Sequence, residues 1–329
     1  MSNSPNTCIR LLLFAAFLLL GGCGPALINV SHPSANTLEQ LAESLDDNSP
    51  PLRARLAEVL ADGMQHRIMN TEINAAWQIM HGVICYGPQL EVDTPDRGRV
   101  SALEYAFSGG QIDGFELMLG SEPLPSTSRV GLKARLEPGS YSGQGHVDQW
   151  LAIFAMAELP LDTPVTQSGH TMTLLDWARQ AQYDASQNVL DEFSWTLIAM
   201  THYFPDEATW QSADGTLSWE LLVEAELTYD IDDSPCGGTH RLAGITRALR
   251  AKRRLGLADS PVWQRAQGLV DQCLAHAKEQ RSADGGLSSQ YFSRPGVTAD
   301  LSAELASSGH LFEFIALAAN DEELSSPWV

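Results

Sequence analysis

Three short phrases in this chain place a glycine directly before a histidine: Gln144-Gly145-His146-Val147, Ser168-Gly169-His170-Thr171 and Ser308-Gly309-His310-Leu311. A fourth, Gly237-Gly238-Thr239-His240-Arg241, is a close variant. In each, the histidine opens an apolar stretch with helical spacing. Glycine lets a second group approach the backbone. A helix N-terminus presents N–H groups to an anion and disfavours imidazolium, which keeps the ring neutral. A neutral imidazole serves as a metal ligand or a general base. The structural alternative is a histidine that caps its helix or packs on a neighbour. Cys236 and His240 stand four apart at a helix start, a workable spacing for two ligands of one ion. Histidine–carboxylate pairs suit acid–base work. Trp150, Trp195 and Trp219 offer flat faces to a sugar or an isoprenoid, or bulk to a core. His66 and His276 lie on charged segments and read as solvated, whereas His81, in Trp77-Gln78-Ile79-Met80-His81-Gly82, is a further candidate. No nucleophile elbow, phosphate loop or dinucleotide fingerprint occurs.

The elements that must position these residues read as helix after helix. Apolar spacing predicts helices over 37–46, 51–64, 71–83, 100–107, 146–158, 171–184, 189–203, 216–229, 238–256, 261–281 and 308–319. Turn signals such as Pro50-Pro51, Tyr86-Gly87-Pro88, Leu159-Pro160 and Asp284-Gly285-Gly286 separate them. No alternation is long enough to predict a sheet, and the Gly/Ser/Pro-rich stretch 109–145 reads as a long loop with a short helix. Segments 151–158, 193–200 and 311–319 are apolar almost all round, whereas 171–184, 216–229 and 261–281 carry charge on one face. The first kind is buried and the second covers it. The expected fold is therefore all-α: a closed α/α toroid of helical hairpins, or an open solenoid of the same hairpins. In a toroid the buried helices run parallel and their N-termini meet at one end. The pocket expected there gathers His146, Glu192, Trp195, His240, Arg241 and His310. Asp232, Asp233 and Cys236 would lie on the adjoining loop, and His170, opening a covering helix, would stand apart.

Two stretches resemble the α/α-toroid superfamily of terpene cyclases and protein prenyltransferases. Gln280-Arg281-Ser282-Ala283-Asp284-Gly285-Gly286-Leu287 is similar to the Gln…Asp-Gly-Gly turn that closes hairpins there, with leucine where the cyclases usually carry an aromatic. Asp230-Ile231-Asp232-Asp233 resembles the Asp-x-Asp-Asp motif of class II terpene cyclases, which implies Asp232 as the protonating acid. The chain then continues Ser234-Pro235-Cys236 where the cyclases have Thr-Ala. The prenyltransferase resemblance further implies a zinc site from Asp233, Cys236 and His310, with Asp-x-x-Cys replacing the family's Asp-x-Cys.

Composition narrows the function. Lys and Arg number 20 against 41 Asp and Glu, for a formal charge of -21. Such a surface repels phosphate backbones and excludes nucleic-acid binding. Residues 11–20 form an apolar run after Arg10, and Leu20-Gly21-Gly22-Cys23 resembles the bacterial lipobox. A run this short fits a signal-peptide core and falls below the ~20 residues a span needs. The expected organisation is a signal peptide over 1–22, lipidated Cys23 with a tether to residue 36, and one domain over 37–329. Gly24 replaces the Asp that often retains lipoproteins in an inner membrane, so the expected place is the outer membrane facing the periplasm. Besides Cys8 and Cys23 the cysteines are Cys85, Cys236 and Cys273, an odd set whose pairing the sequence leaves open. Two functions remain: a binding or assembly module with an unidentified ligand or protein partner, or an enzyme. The enzyme would be a carbohydrate hydrolase or lyase, or a relative of the cyclases and prenyltransferases.

Overall fold

The computed structural model describes residues 52–66, 68–125, 127–188, 192–324, 326 and 328–329. The expected signal peptide over 1–22, the expected lipidation site Cys23, the expected tether to residue 36 and the expected helix 37–46 lie outside the described residues.

The chain is mixed α/β, which corrects the all-α expectation of a toroid, or an open solenoid, built of helical hairpins. Four small sheets accompany the helices among the described residues. The element order begins α1 (Leu52–His66), β1 (Met69–Asn70), α2 (Ala76–Tyr86), β2 (Glu91–Thr94), β3 (Gly98–Ser101) and α3 (Ala102–Phe107). It continues β4 (Leu117–Pro123), β5 (Val130–Ala134), α4 (Gln149–Met156), β6 (Pro164–Gln167), β7 (His170–Thr173) and α5 (Leu174–Asp184). Then follow α6 (Ser194–Tyr203), β8 (Thr209–Ser212), β9 (Gly215–Ser218), α7 (Trp219–Glu226), α8 (Thr239–Leu255), α9 (Pro261–Glu279), α10 (Leu301–Ala318) and α11 (Asp321–Leu324).

One unit recurs three times: a helix, an antiparallel hairpin, then a second helix. It is α2–β2–β3–α3, α4–β6–β7–α5 and α6–β8–β9–α7. Hydroxyls stop each hairpin and start each second helix. Ser101 accepts from the Glu104 amide, Thr173 from Asp176 and Ser218 from Leu221. Such a cap contributes about 1 kcal/mol. The expected covering helices 171–184 and 216–229 each swallowed a strand, because a four-residue strand carries too few side chains to display a period of two. The expected loop 109–145 likewise holds the antiparallel pair β4–β5, which lies against α5.

A buried helix followed by a one-sided one is found in α4–α5 and in α6–α7. α4 buries every residue from Gln149 to Ala155, and α6 buries all but His202. Burying an aliphatic side chain such as Leu151 or Ile153 contributes roughly 2 kcal/mol. The buried helices pack in chain order, α2 on α4, α4 on α6, α6 on α8 and α8 on α10. Trp150 and Trp219 are fully buried and belong to this core.

Candidate functional site

The buried helices bring imidazoles together from positions far apart in the chain. His146 precedes α4, and His240 sits in the first turn of α8. Their rings meet edge-to-face with centroids 5.7 Å apart. His310 packs on His240 in the same manner at 4.8 Å. Trp195, in the first turn of α6, lies 4.8 Å from His240 and 6.0 Å from His146. His310 does not open its helix as expected; α10 starts at Leu301, so His310 lies mid-helix and reaches the cluster sideways. His170 opens no helix either: it is the first residue of β7, exposed after the turn at Ser168-Gly169.

Glu192 orients the outermost ring. Its Oε2 accepts from His146 Nδ1 at 2.6 Å, and the two side chains remain 14% and 22% exposed, enough to meet a small solute. Nδ1–H given to the carboxylate leaves Nε2 as the acceptor. The Glu192 carbonyl is itself held by Asn188 Nδ2 at 2.5 Å. A cavity of about 260 Å³ is lined by Gln144, Val147, Asp148 and Asn188, residues close in the chain to the pair, but by neither His146 nor Glu192.

His81, from mid-α2, joins the group electrostatically. Its Nδ1 donates to the Trp77 carbonyl at 2.5 Å, which again fixes the tautomer. Burial holds His81 down to about 4, with the Trp77 bond opposing. Burial, helped by His81, lowers His310 to about 3. His240 is lowered well below the usual imidazole range by burial and then by the other three rings. The central rings are thus neutral at physiological pH.

Cys236 approaches from the turn before α8. Cys236, Gly237 and Gly238 are consecutive left-handed residues, with φ of 52°, 60° and 73°. A Cβ on Gly237 would stand 2.0 Å from the Tyr291 ring, so only glycine fits there. One ligand atom from each of Cys236, His240 and His310 lies within 4.8 Å of the other two. Asp233 is absent from this group, and both Asp232 and Asp233 are exposed. The Asp230 side chain and carbonyl hold their loop through Asp232 N at 3.0 Å and Ser234 Oγ at 2.6 Å.

Arg241 points elsewhere. It pairs with Glu226 at 2.5 Å, bonds Ser234 Oγ at 3.2 Å and covers the Tyr229 ring. Glu226 is fully buried, and its other oxygen accepts from the Phe193 amide. Burial pushes this carboxyl up to about 7, with the Arg241 charge pulling back. The pair ties α7 to the starts of α6 and α8, and so holds Glu192 and His240 in place. Glu226 was not among the expected site residues. The sequence carried its signal: Trp219, Leu222, Val223 and Glu226 form the buried stripe of α7, and an acid on such a stripe needs a partner.

No disulfide joins the described cysteines; Cys85 and Cys273 are buried, with thiols pushed up to about 12 by burial. Comparison of the chain with protein-family models, with curated proteins and with solved structures found no match.

Proposed function

We propose that this protein is a lipid-anchored enzyme of the cell envelope, probed best as a hydrolase, with His146 as general base and Glu192 as its orienting carboxylate. The observation that carries the reading is the 2.6 Å His146–Glu192 bond between two part-exposed side chains. Nε2 of His146 takes a proton from water or a substrate hydroxyl. Glu192 holds the ring and stabilises the imidazolium that forms. The formal charge of -21 favours uncharged or cationic substrates. A binding or assembly module is the second reading, favoured by the edge-to-face packing of the inner rings, which fills the centre.

The test is release of 4-nitrophenol from 4-nitrophenyl acetate and from 4-nitrophenyl glycosides. Glu192→Gln should lower kcat by about 100-fold with KM little changed, and His146→Ala at least as much. Circular dichroism confirms that the variants fold. Folded protein that turns over none of these probes, or variants as fast as the parent, would leave the binding reading in its place.

A further inference from the structure

We propose that Cys236, His240 and His310 bind one divalent ion of the zinc class. The inference does not depend on the acid–base reading. It rests on three donors whose ligand atoms lie within 4.8 Å of one another, contributed by the turn before α8, by α8 itself and by mid-α10.

The donor set fits. One thiolate and two imidazoles are the ligands zinc prefers. A tetrahedral site with these bond lengths has ligand–ligand edges of ~3.5 Å. The 4.8 Å span of the triad exceeds such an edge by about 1.3 Å.

Two further features point at an ion. His240 Nδ1 is shielded from solvent and has no hydrogen-bond partner. Leaving such an atom unmet costs on the order of 1–3 kcal/mol; a metal bond to this nitrogen, or ring rotation that accompanies ligation through the other, removes that cost. Cys236 is a non-glycine residue in left-handed backbone, followed by two left-handed glycines. Conformations of this kind persist where the surroundings impose them and cluster at functional sites. Here the turn delivers the thiol to the N-terminus of a 17-residue helix, where the macrodipole favours thiolate.

Three protein donors are the count of a catalytic zinc site, which leaves a fourth position for water or substrate; a purely structural site takes four. His81 stands outside the 4.8 Å triad. The ring packing of His146 on His240 sets the acid–base pair beside the same centre.

The experiment uses the full chain, purified in detergent and stripped with a chelator. Zinc titration should end at one ion per chain. Cobalt(II) in its place should give a thiolate charge-transfer band and intense tetrahedral visible bands. Cys236→Ser should abolish the charge-transfer band, and His310→Gln should weaken zinc at least ~100-fold. Asp233→Ala should change neither, because Asp233 lies outside the triad. Zinc should also slow alkylation of Cys236 by iodoacetamide, a readout that serves even if a histidine variant folds poorly. Folded protein that takes up no zinc, or binds it equally well as Cys236→Ser, overturns the proposal. Zinc bound without turnover would overturn the enzyme reading alone.

Discussion

Asp148 closes the turn before α4 with φ 59°, and its carboxylate accepts the Thr196 hydroxyl at 2.6 Å. Burial pushes this carboxyl up to about 6; the Thr196 bond opposes and Asp184 adds to the rise. The folded state thus keeps a proton that the unfolded chain, near 3.8, releases. Its contribution to stability is fully present below pH 3.8 and is lost as pH rises through about 6. Asp148→Asn keeps an oxygen for Thr196 and removes the titration. The variant should be more stable than the parent by roughly 2 kcal/mol at neutral pH, with the gap closing in acid. Urea unfolding at both pH values measures this, and a gap constant with pH would refute the assignment. At this scale much of the centre was legible. The glycine-histidine phrases marked His146, His240 and His310, and the spacing to His240 marked Cys236. Arg241 was legible as a residue but not as a role. A sequence shows an acid on the apolar stripe of α7, but not that the cation it needs is Arg241, fifteen residues later. Asp232 and Asp233 attracted notice for the opposite reason: carboxylates in a row suggest chemistry, but here they face solvent.

Helix α8 reaches α6 through Gly244. A Cβ there would stand 2.7 Å from the Ser194 carbonyl oxygen and 2.8 Å from its Cα, both backbone atoms that cannot move alone. Alanine normally favours a helix over glycine by about 1 kcal/mol. Gly244→Ala should instead destabilise by about 1–3 kcal/mol, because it forces α6 and α8 apart. Gly268→Ala on the exposed face of α9 meets nothing within 4 Å and should stabilise. Opposite shifts of Tm in the two variants are the expected result, and two upward shifts would show that the α6–α8 approach is looser. The closeness matters to the centre, because Trp195 on α6 and His240 on α8 are in ring contact across it. The order of buried and covering helices was legible from their apolar spacing, since ten or more residues display a helical period clearly. The hairpins were not. In β6–β7 the strands have four residues each, joined by Ser168 and Gly169 with φ of 52° and 78°, the paired left-handed values of a tight hairpin turn. The same Gly169 that suggested a helix-opening histidine was the turn signal.

The whole molecule bears a formal charge of -21, and its buried helices pack in chain order from α2 to α10. That charge decides how it can sit on a membrane. Anionic lipid repels so acidic a surface, so no electrostatic second signal is available to hold it there. No helix among the described residues is long and apolar enough to cross a membrane. Under the lipoprotein reading, membrane affinity then rests on the acyl groups at Cys23, and more than one chain is needed for stable attachment. The expected outcome has two parts. Labelled palmitate should enter the protein and Cys23→Ala should abolish the label. The acylated parent should stay with the outer-membrane fraction through high-salt washes, because screening removes only charge-mediated attachment. A domain starting at residue 37 behind an ordinary cleavable leader should be recovered free of membrane with the parent's unfolding curve. Palmitate label that survives in Cys23→Ala, or parent protein released by salt, would mean that attachment has another source. The site proposals would survive that result, since every residue in them lies at or beyond His81.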